Sequence, residues 1–415
     1  MASNPPLIPR GGQLPAARGT QRNQQRRRSD LAIWWREIDR GLLLIVLILM
    51  AIGTAAVAAS SPASARRLST SKIRLDELHF FYIHLRWQFV GLFAMLGASM
   101  LPRDTARRAA ILLGFAMLIG LMLVPVVGTT VNGAKRWLNL GMSLQPSEFL
   151  KPAFAIILAW ILSWRVRDPG LPAIELSTGL MGMIAVLLMA QPDFGSTILF
   201  GAVWFVMVLM SGISLKRIGL AGGFGLGAVV LAYMFYDNAR NRIDSFIGGG
   251  TAFDQVDLAQ RTLLGGGWTG TGLWLGTRKL GLPEAHTDYI FSVIGEEFGL
   301  IACAVIVILY LALVARVLLR LLDEEDLFTT LAAAGLTAQL GGQAFINILV
   351  NLQLFPSKGM TLPLISYGGS STIAICLGVG FLLAITRRNP FIKRERFSLR
   401  QLGPSASGQA RRPSR

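Results

Sequence analysis

Residues 41–60 read GLLLIVLILMAIGTAAVAAS, a run without a single charge. At 1.5 Å per residue a helix of about 20 residues crosses the ~30 Å hydrocarbon core of a bilayer, and every backbone polar group in it is satisfied within the segment. The run starts too far along the chain and is too long for a cleaved signal peptide, despite the small residues Ala63, Ser64 and Ala65 beyond it. It is expected to be an uncleaved anchor.

Moving outward, further apolar runs follow at 82–101, 109–127, 148–163, 176–190, 195–211, 217–236, 290–318, 328–350 and 366–387. Hydrophobic residues make up 53% of the 415 and charged residues 15%, with a mean hydropathy of +0.53. A soluble core does not need that much apolar material. The sequence predicts an all-α integral membrane protein of about ten transmembrane helices, with one long extracytoplasmic loop, residues 237–289, between helices 7 and 8. Glycines at 248–250 and 265–272 are expected to bend that loop, and long structured loops usually carry function.

An even number of spans puts both termini on one side. Residues 1–36 place Arg10, Arg18, Arg22 and Arg26 to Arg28 among Pro, Gly, Gln and Ser and read as a disordered basic tail; residues 391–415 read as a second basic tail, leaving 37–390 as the membrane domain. Arg36 and Arg40 flank the first span, and Arg387 and Arg388 the last, so both tails are expected in the cytoplasm. Outside the tails the basic residues run the other way, with more on the outer loops than on the inner ones. Lys135, Arg136, Arg240, Arg242, Arg261, Arg278 and Lys279 are outer cations suited to a phosphorylated lipid.

The net charge of +17 therefore points to anionic membrane lipid, not to nucleic acid. Cys303 and Cys376 sit inside apolar runs and read as packing residues, with no disulfide framework or thiolate metal site.

The most polar, least regular stretch is GGGWTGTGLWLGTRKLGLPEAHTDYIFSVIGEE, residues 265–297. Within PEAHTD, Glu284, His286, Thr287 and Asp288 crowd just before a span. His286 is placed to orient Asp288; equally, Asp288 is placed to cap the helix beginning at Tyr289, and spacing alone leaves the two readings even. Glu296 and Glu297 lie two turns deeper.

Three other stretches carry polar chemistry. In NGAKRWLNLGMSLQPSEFLKP, residues 132–152, Lys135 and Arg136 read either as interfacial anchors beside Trp137 or as a cationic pair for a diphosphate. Glu148 is spaced to pair with Lys151, and Pro152 is expected to kink its helix. In QPDFG, residues 191–195, Asp193 reads first as a helix cap and second as an acid at membrane depth. PSKGMTLPLISYGGSS, residues 356–371, brings Lys358, Ser366 and Tyr367, and Asn347 and Asn351 on the preceding span are placed to face the same cavity.

One dominant acid is unlike the paired carboxylates of most glycosidases, although Glu284 keeps that option open. A single carboxylate suits a general base that deprotonates a sugar hydroxyl, if the donor carries a good leaving group such as a lipid diphosphate. No serine nucleophile motif, P-loop or metal triad competes.

Taken together, KRWLNLG with QPSEFLKP, QPDFGS, GGWTGTG, LPEAHTDYIFSVIGEE and SKGMTLPLISYGGSS occur in an order and at intervals that resemble the SEDS (shape, elongation, division and sporulation) family over nearly all of residues 37–390. Lys358 and Gly359 ahead of TLPLISYGGSS, with the long basic N-terminal tail, are more similar to the division branch than to the elongation branch. Departures are small: Tyr289 for the common Phe, Thr271 for a frequent Lys, and Pro152 for a usual aliphatic.

The resemblance implies a peptidoglycan glycosyltransferase that polymerises lipid II at the division septum. Its implied partners are a class B penicillin-binding transpeptidase and other divisome membrane proteins. Asp288 matches the catalytic residue and would activate the acceptor 4-hydroxyl. The implied substrate-contacting set is Lys135, Arg136, Lys151, Asp193, Glu284, His286, Thr287, Lys358 and Ser366. A divalent cation, Mg or Mn, is implied without an assignable ligand set. Two other classes stand beside the polymerase: a lipid II flippase, which would need charged groups lining a path through the spans, for which Arg86 and Glu175 at span edges are poor candidates, and a non-catalytic divisome scaffold.

Overall fold

In the computed structural model, the described residues are 31–70, 74–131, 134–139, 141, 143–165, 168, 170–212, 215–248, 255–356 and 359–388. The two basic tails, apart from 31–36, and Lys358 lie outside them. The chain divides into two compact units, residues 38–387 and the terminal segments 1–37 and 388–415. Of the second, residues 31–37 are helical.

The larger unit is built of helices: α1 (Arg40–Leu68), α2 (His79–Ser99), α3 (Arg103–Val127), α4 (Pro146–Trp164), α5 (Ala173–Met189), α6 (Phe194–Met210), α7 (Leu215–Phe235), α8 (Asp237–Ile247), α9 (Gln255–Gly265), α10 (Ile290–Leu321), α11 (Leu327–Asn351) and α12 (Gly369–Ile385). Five of these, α1, α3, α4, α10 and α11, are long and apolar enough to cross a membrane, and α5, α6 and α12 are shorter apolar helices. The protein is a multi-pass helical membrane protein.

Two features depart from the sequence reading. A small antiparallel sheet, β1 (Thr129–Val131), β2 (Ala134–Asn139) and β3 (Ser143–Leu144) in the order β1-β2-β3, interrupts the all-α pattern between α3 and α4. The loop expected over 237–289 contains two helices, α8 and α9, and a 3-10 turn at Arg278–Gly281.

Packing follows the small residues. α12 lies along α2, α4 packs on α3 and α11, and α10 joins α1, α9 and α11. Helix α4 continues through Pro152, whose ring sits 3.1 Å from where a β-carbon at Gly378 of α12 would be. A break falls in α10, at Gly299, whose φ of 85° and ψ of 172° are open to glycine and strained for other residues. At the far end of α10, Arg316 and Arg320 pair with buried Asp39 at 2.7 and 2.9 Å. Asp39 also accepts from Leu42 N at 3.0 Å and so caps α1. That clamp ties the start of α1 to the end of α10 and fixes the two helices antiparallel.

Candidate active site

The turn carrying Asp288 is held by its carbonyls. The carbonyl of His286 accepts from Tyr367 N at 2.9 Å. The next, of Thr287, accepts from Ser366 Oγ at 2.5 Å. That of Asp288 accepts from Asn347 Nδ2 at 2.8 Å and Asn351 Nδ2 at 3.2 Å. Three successive backbone acceptors are thus satisfied by two distant segments, and a backbone bonded this densely does not swing. Beneath it Tyr289, 2% exposed, packs with Ala259, Leu282, Ala285, Val293 and Val350.

Inside the turn, Glu284 adopts φ 50° and its carbonyl and carboxylate accept from Thr287 Oγ1 at 3.1 and 2.9 Å. Helix α10 has Tyr289 as its N-cap, and the Tyr289 side chain makes no capping bond. Asp288 is half-buried and lines a small cleft with Tyr289, Ile346, Asn347, Val350, Gly359 and Met360.

His286 is buried and turned away from the cleft. Its Nδ1 lies 2.8 Å from Ser64 Oγ of α1, and its ring sits 4.4 Å from Phe80 and 5.1 Å from Tyr367, centroid to centroid. Burial pushes its pKa from 6.5 down to about 4, so the imidazole is neutral. His286 thus ties the turn to α1, as Asn347 ties it to α11.

Along α11, Gln343, Asn347 and Asn351 recur every four residues and form one polar stripe. Gln343 Nε2 donates to Thr361 O at 3.0 Å and Asn347 Nδ2 to Met360 O at 2.6 Å, so the stripe holds the 359–361 segment against Asp288. At its deeper end Gln343 Oε1 accepts from Lys151 Nζ at 3.4 Å, and Lys151 pairs with Glu148 at 2.6 Å. Lys151 thus joins the site through Gln343.

The remaining predicted cations are placed elsewhere. Lys135 Nζ donates to the carbonyls of Pro125 and Val126, at 2.8 and 2.9 Å, and caps the C-terminal end of α3. Arg136 donates to the carbonyls of Gln191 and Pro192 and lies 3.9 Å from Asp193. Asp193 caps α6 by accepting from Ser196 N at 3.2 Å. These bonds tie Lys135, Arg136 and Asp193 to the α3 end and the α5–α6 turn, not to the turn of Asp288. Ser366, expected at the substrate, is buried and spends its hydroxyl on the backbone, also accepting from Leu362 N at 2.8 Å.

Glu296 and Glu297 were the residues whose role spacing did not reveal. Glu296 accepts from the amides of Arg278 and Lys279 at 2.7 and 2.9 Å. Glu297 accepts from Trp274 N and pairs with Lys279. Around them the glycine-rich segment presses backbone to backbone on α10: a β-carbon at Gly266 would meet Gly295 O at 2.1 Å, and one at Gly270 would meet Glu297 O at 2.2 Å. The four-position glycine spacing was the available signal.

Among the described residues no three carboxylate, His or Cys side chains converge on one point. The carboxylates of Glu296 and Glu297 are taken up by amides and an ammonium. The described residues therefore offer no ready-made side-chain cage for a divalent ion.

Residues 40–390 match the family model described as cell cycle protein, which covers FtsW, RodA and SpoVE. The chain is 36% identical over 366 residues to a probable peptidoglycan glycosyltransferase FtsW of Caulobacter vibrioides, covering 88% of this chain and 93% of that one. A protein of the same description from Alkalilimnicola ehrlichii is 35% identical over 367 residues, covering 85% and 90%. Among solved structures, a chain of a peptidoglycan synthase complex that coordinates polymerization and crosslinking matches with a TM-score of 0.67 at 29% identity, over 84% of this chain and 97% of that one. The rod shape determining protein RodA of Thermus thermophilus matches with a TM-score of 0.61 at 28% identity, over 85% and 97%. With a family model spanning the whole helical unit and relatives above the identity at which a shared fold is in question, the chain belongs to the SEDS family of FtsW, RodA and SpoVE.

Proposed function

We propose that Asp288 is the general base of a peptidoglycan polymerase. The protein is a peptidoglycan glycosyltransferase of the FtsW kind, acting in septal wall synthesis. Its substrate in this reading is lipid II. Asp288 takes the proton from the acceptor GlcNAc 4-hydroxyl, the oxygen attacks the donor MurNAc anomeric carbon, and undecaprenyl diphosphate leaves with inversion to a β-1,4 bond. One observation carries the assignment: a half-buried carboxylate lines a cleft while its backbone is pinned by Asn347 and Asn351. A fixed base reaches an acceptor without reorganising, and such positioning is a large part of enzymatic rate enhancement.

Around that centre the finer arrangement is ten spans with both termini cytoplasmic, supported by the helix order and by Arg36, Arg40, Arg387 and Arg388 at the flanks. The Asp288 end then faces outward. A crosslinking transpeptidase of class B is the inferred partner, by analogy with the synthase complex that couples polymerization to crosslinking. Lys135, Arg136 and Lys358 are the proposed diphosphate cations; full lipid II binding by their alanine variants removes them from that role.

The test is glycan-strand synthesis from labelled lipid II by the purified protein with its cognate transpeptidase. Polymer from the native chain and none from folded Asp288→Asn is expected. Equal polymer from both removes Asp288 as base, and none from either favours a flippase or scaffold.

A further inference from the structure

Residues 264–280 are anchored by their backbone and display their apolar side chains. Glu296 and Glu297 take up the amides of Trp274, Arg278 and Lys279, as described above. The side chains point the other way: Trp268 is 73% exposed, Leu275 69%, Leu264 58% and Trp274 53%. An apolar cluster held this rigidly on a surface marks a contact with something apolar.

The level of the segment identifies that contact. Arg67 donates to Gly281 O at 3.1 Å, Lys279 Nζ to Ala59 O at 2.9 Å and Trp274 Nε1 to Ala58 O at 3.1 Å. Lys279 and Trp274 therefore reach α1 at the level of Ala58 and Ala59, while Gly281 stands at the reach of the Arg67 guanidinium nearer the end of that helix. Ala58 belongs to the uncharged run 41–60. On the neighbouring helix, Trp268 O accepts from Ile301 N at 3.3 Å. Ile301 is itself exposed and begins an exposed apolar stripe through Val305 and Ile308 of α10. Both tryptophans are thus level with the outer edges of two membrane-crossing apolar runs, the depth at which indole rings concentrate. Exposed Arg67 and Arg278 stand at the shallow end.

We propose that residues 264–280 lie within the phospholipid bilayer, with Trp268, Trp274 and Leu275 at the boundary of acyl chains and headgroups in the leaflet on the Asp288 side. Arg67 and Arg278 meet anionic headgroups there. The glycine-rich segment is an interfacial lipid anchor, and this holds whatever chemistry Asp288 performs.

The full-length chain with Leu275→Cys, nitroxide-labelled, is reconstituted in phosphatidylcholine–phosphatidylglycerol vesicles. The native Cys303 and Cys376 are buried and escape labelling. The expected result is more frequent collision with oxygen than with a water-soluble nickel chelate. Faster collision with the chelate overturns the proposal, because the segment is then in water. Exclusion of both reagents overturns it too, because a protein surface then covers the segment. A second measurement does not depend on that substitution: 6,7-dibromo lipid should quench the native chain more than a Trp268→Phe/Trp274→Phe chain. Equal quenching of the two chains counts against the proposal.

Discussion

Gly359 faces the carboxylate of Asp288: a β-carbon at position 359 would lie 3.3 Å from Asp288 Oδ2, and the glycine has φ 59°. Any side chain there would be strained in the backbone and would press on the proposed base. Gly359→Ala is expected to lower polymerisation by about tenfold or more while costing only about 1–2 kcal/mol of stability, the cost of a left-handed non-glycine residue. Initial rates on lipid II set against thermal unfolding of the same preparation test this; a parallel loss of folded protein would reduce the effect to instability.

Asn347 donates to Asp288 O and Met360 O, and Asn351 donates to Asp288 O and accepts from Ser292 Oγ at 2.7 Å. Alanine at 347 leaves the Met360 carbonyl unmet and alanine at 351 leaves the Ser292 hydroxyl without its acceptor, at about 1–3 kcal/mol each. Because both asparagines hold one carbonyl, each single variant leaves Asp288 O with one donor, and the double variant, which strips it of both, is expected to lose more than the sum of the singles. Chemical unfolding of the three variants measures the coupling, and strict additivity would contradict a shared role.

Lys151 and Glu148 form a buried pair at 2.6 Å. Lys151→Met alone strands a carboxylate and is expected to destabilise by about 3–5 kcal/mol, whereas Lys151→Met with Glu148→Gln recovers a large part. Melting in detergent distinguishes them.

His286 is neutral in the fold, with its pKa moved by burial from 6.5 to about 4. The unfolded chain takes up a proton as pH falls through 6.5 and the folded chain does not until about 4. Stability from this group is therefore complete above 6.5 and is lost progressively between 6.5 and about 4. Melting temperature followed across that interval should fall more steeply for the native chain than for His286→Gln. Identical slopes would place the pH dependence elsewhere.

Glu296 holds the amides of Arg278 and Lys279 at 2.7 and 2.9 Å. Glu296→Ala should unlock those two amides selectively. Hydrogen exchange read at Arg278 and Lys279, against unchanged exchange in α11, is the check.

Much of this was legible in the chain and some was not, for a definite reason. Uncharged runs such as 41–60 reveal membrane helices because length and hydropathy are local properties. Asp288 stood out because an acid, an imidazole and a hydroxyl before a span are sparse in an apolar chain. Capping by Asp193 and the Glu148–Lys151 pair were readable because three-residue spacings fix neighbours on a helix. What escaped are bonds between segments far apart in sequence. The bonds of Ser366 to Thr287 O and of Lys135 to the end of α3 are of this kind. A polar side chain near a membrane surface looks the same in sequence whether its partner is a ligand or a distant carbonyl. The break at Gly299 was hidden too, since a glycine within an apolar run shows no φ.

That break divides α10 into a short stub bearing Asp288 at its head and a long rod from Leu300 to the Asp39 clamp. The stub is tied by Glu296 and Glu297 to the glycine-rich segment and by Asn351 to α11. The first residues of the rod, Leu300 and Ile301, donate to Gly267 O and Trp268 O of that same segment. One strip of backbone therefore splints the helix on both sides of its break, so the proposed catalytic carboxylate and the membrane-crossing rod share a single support.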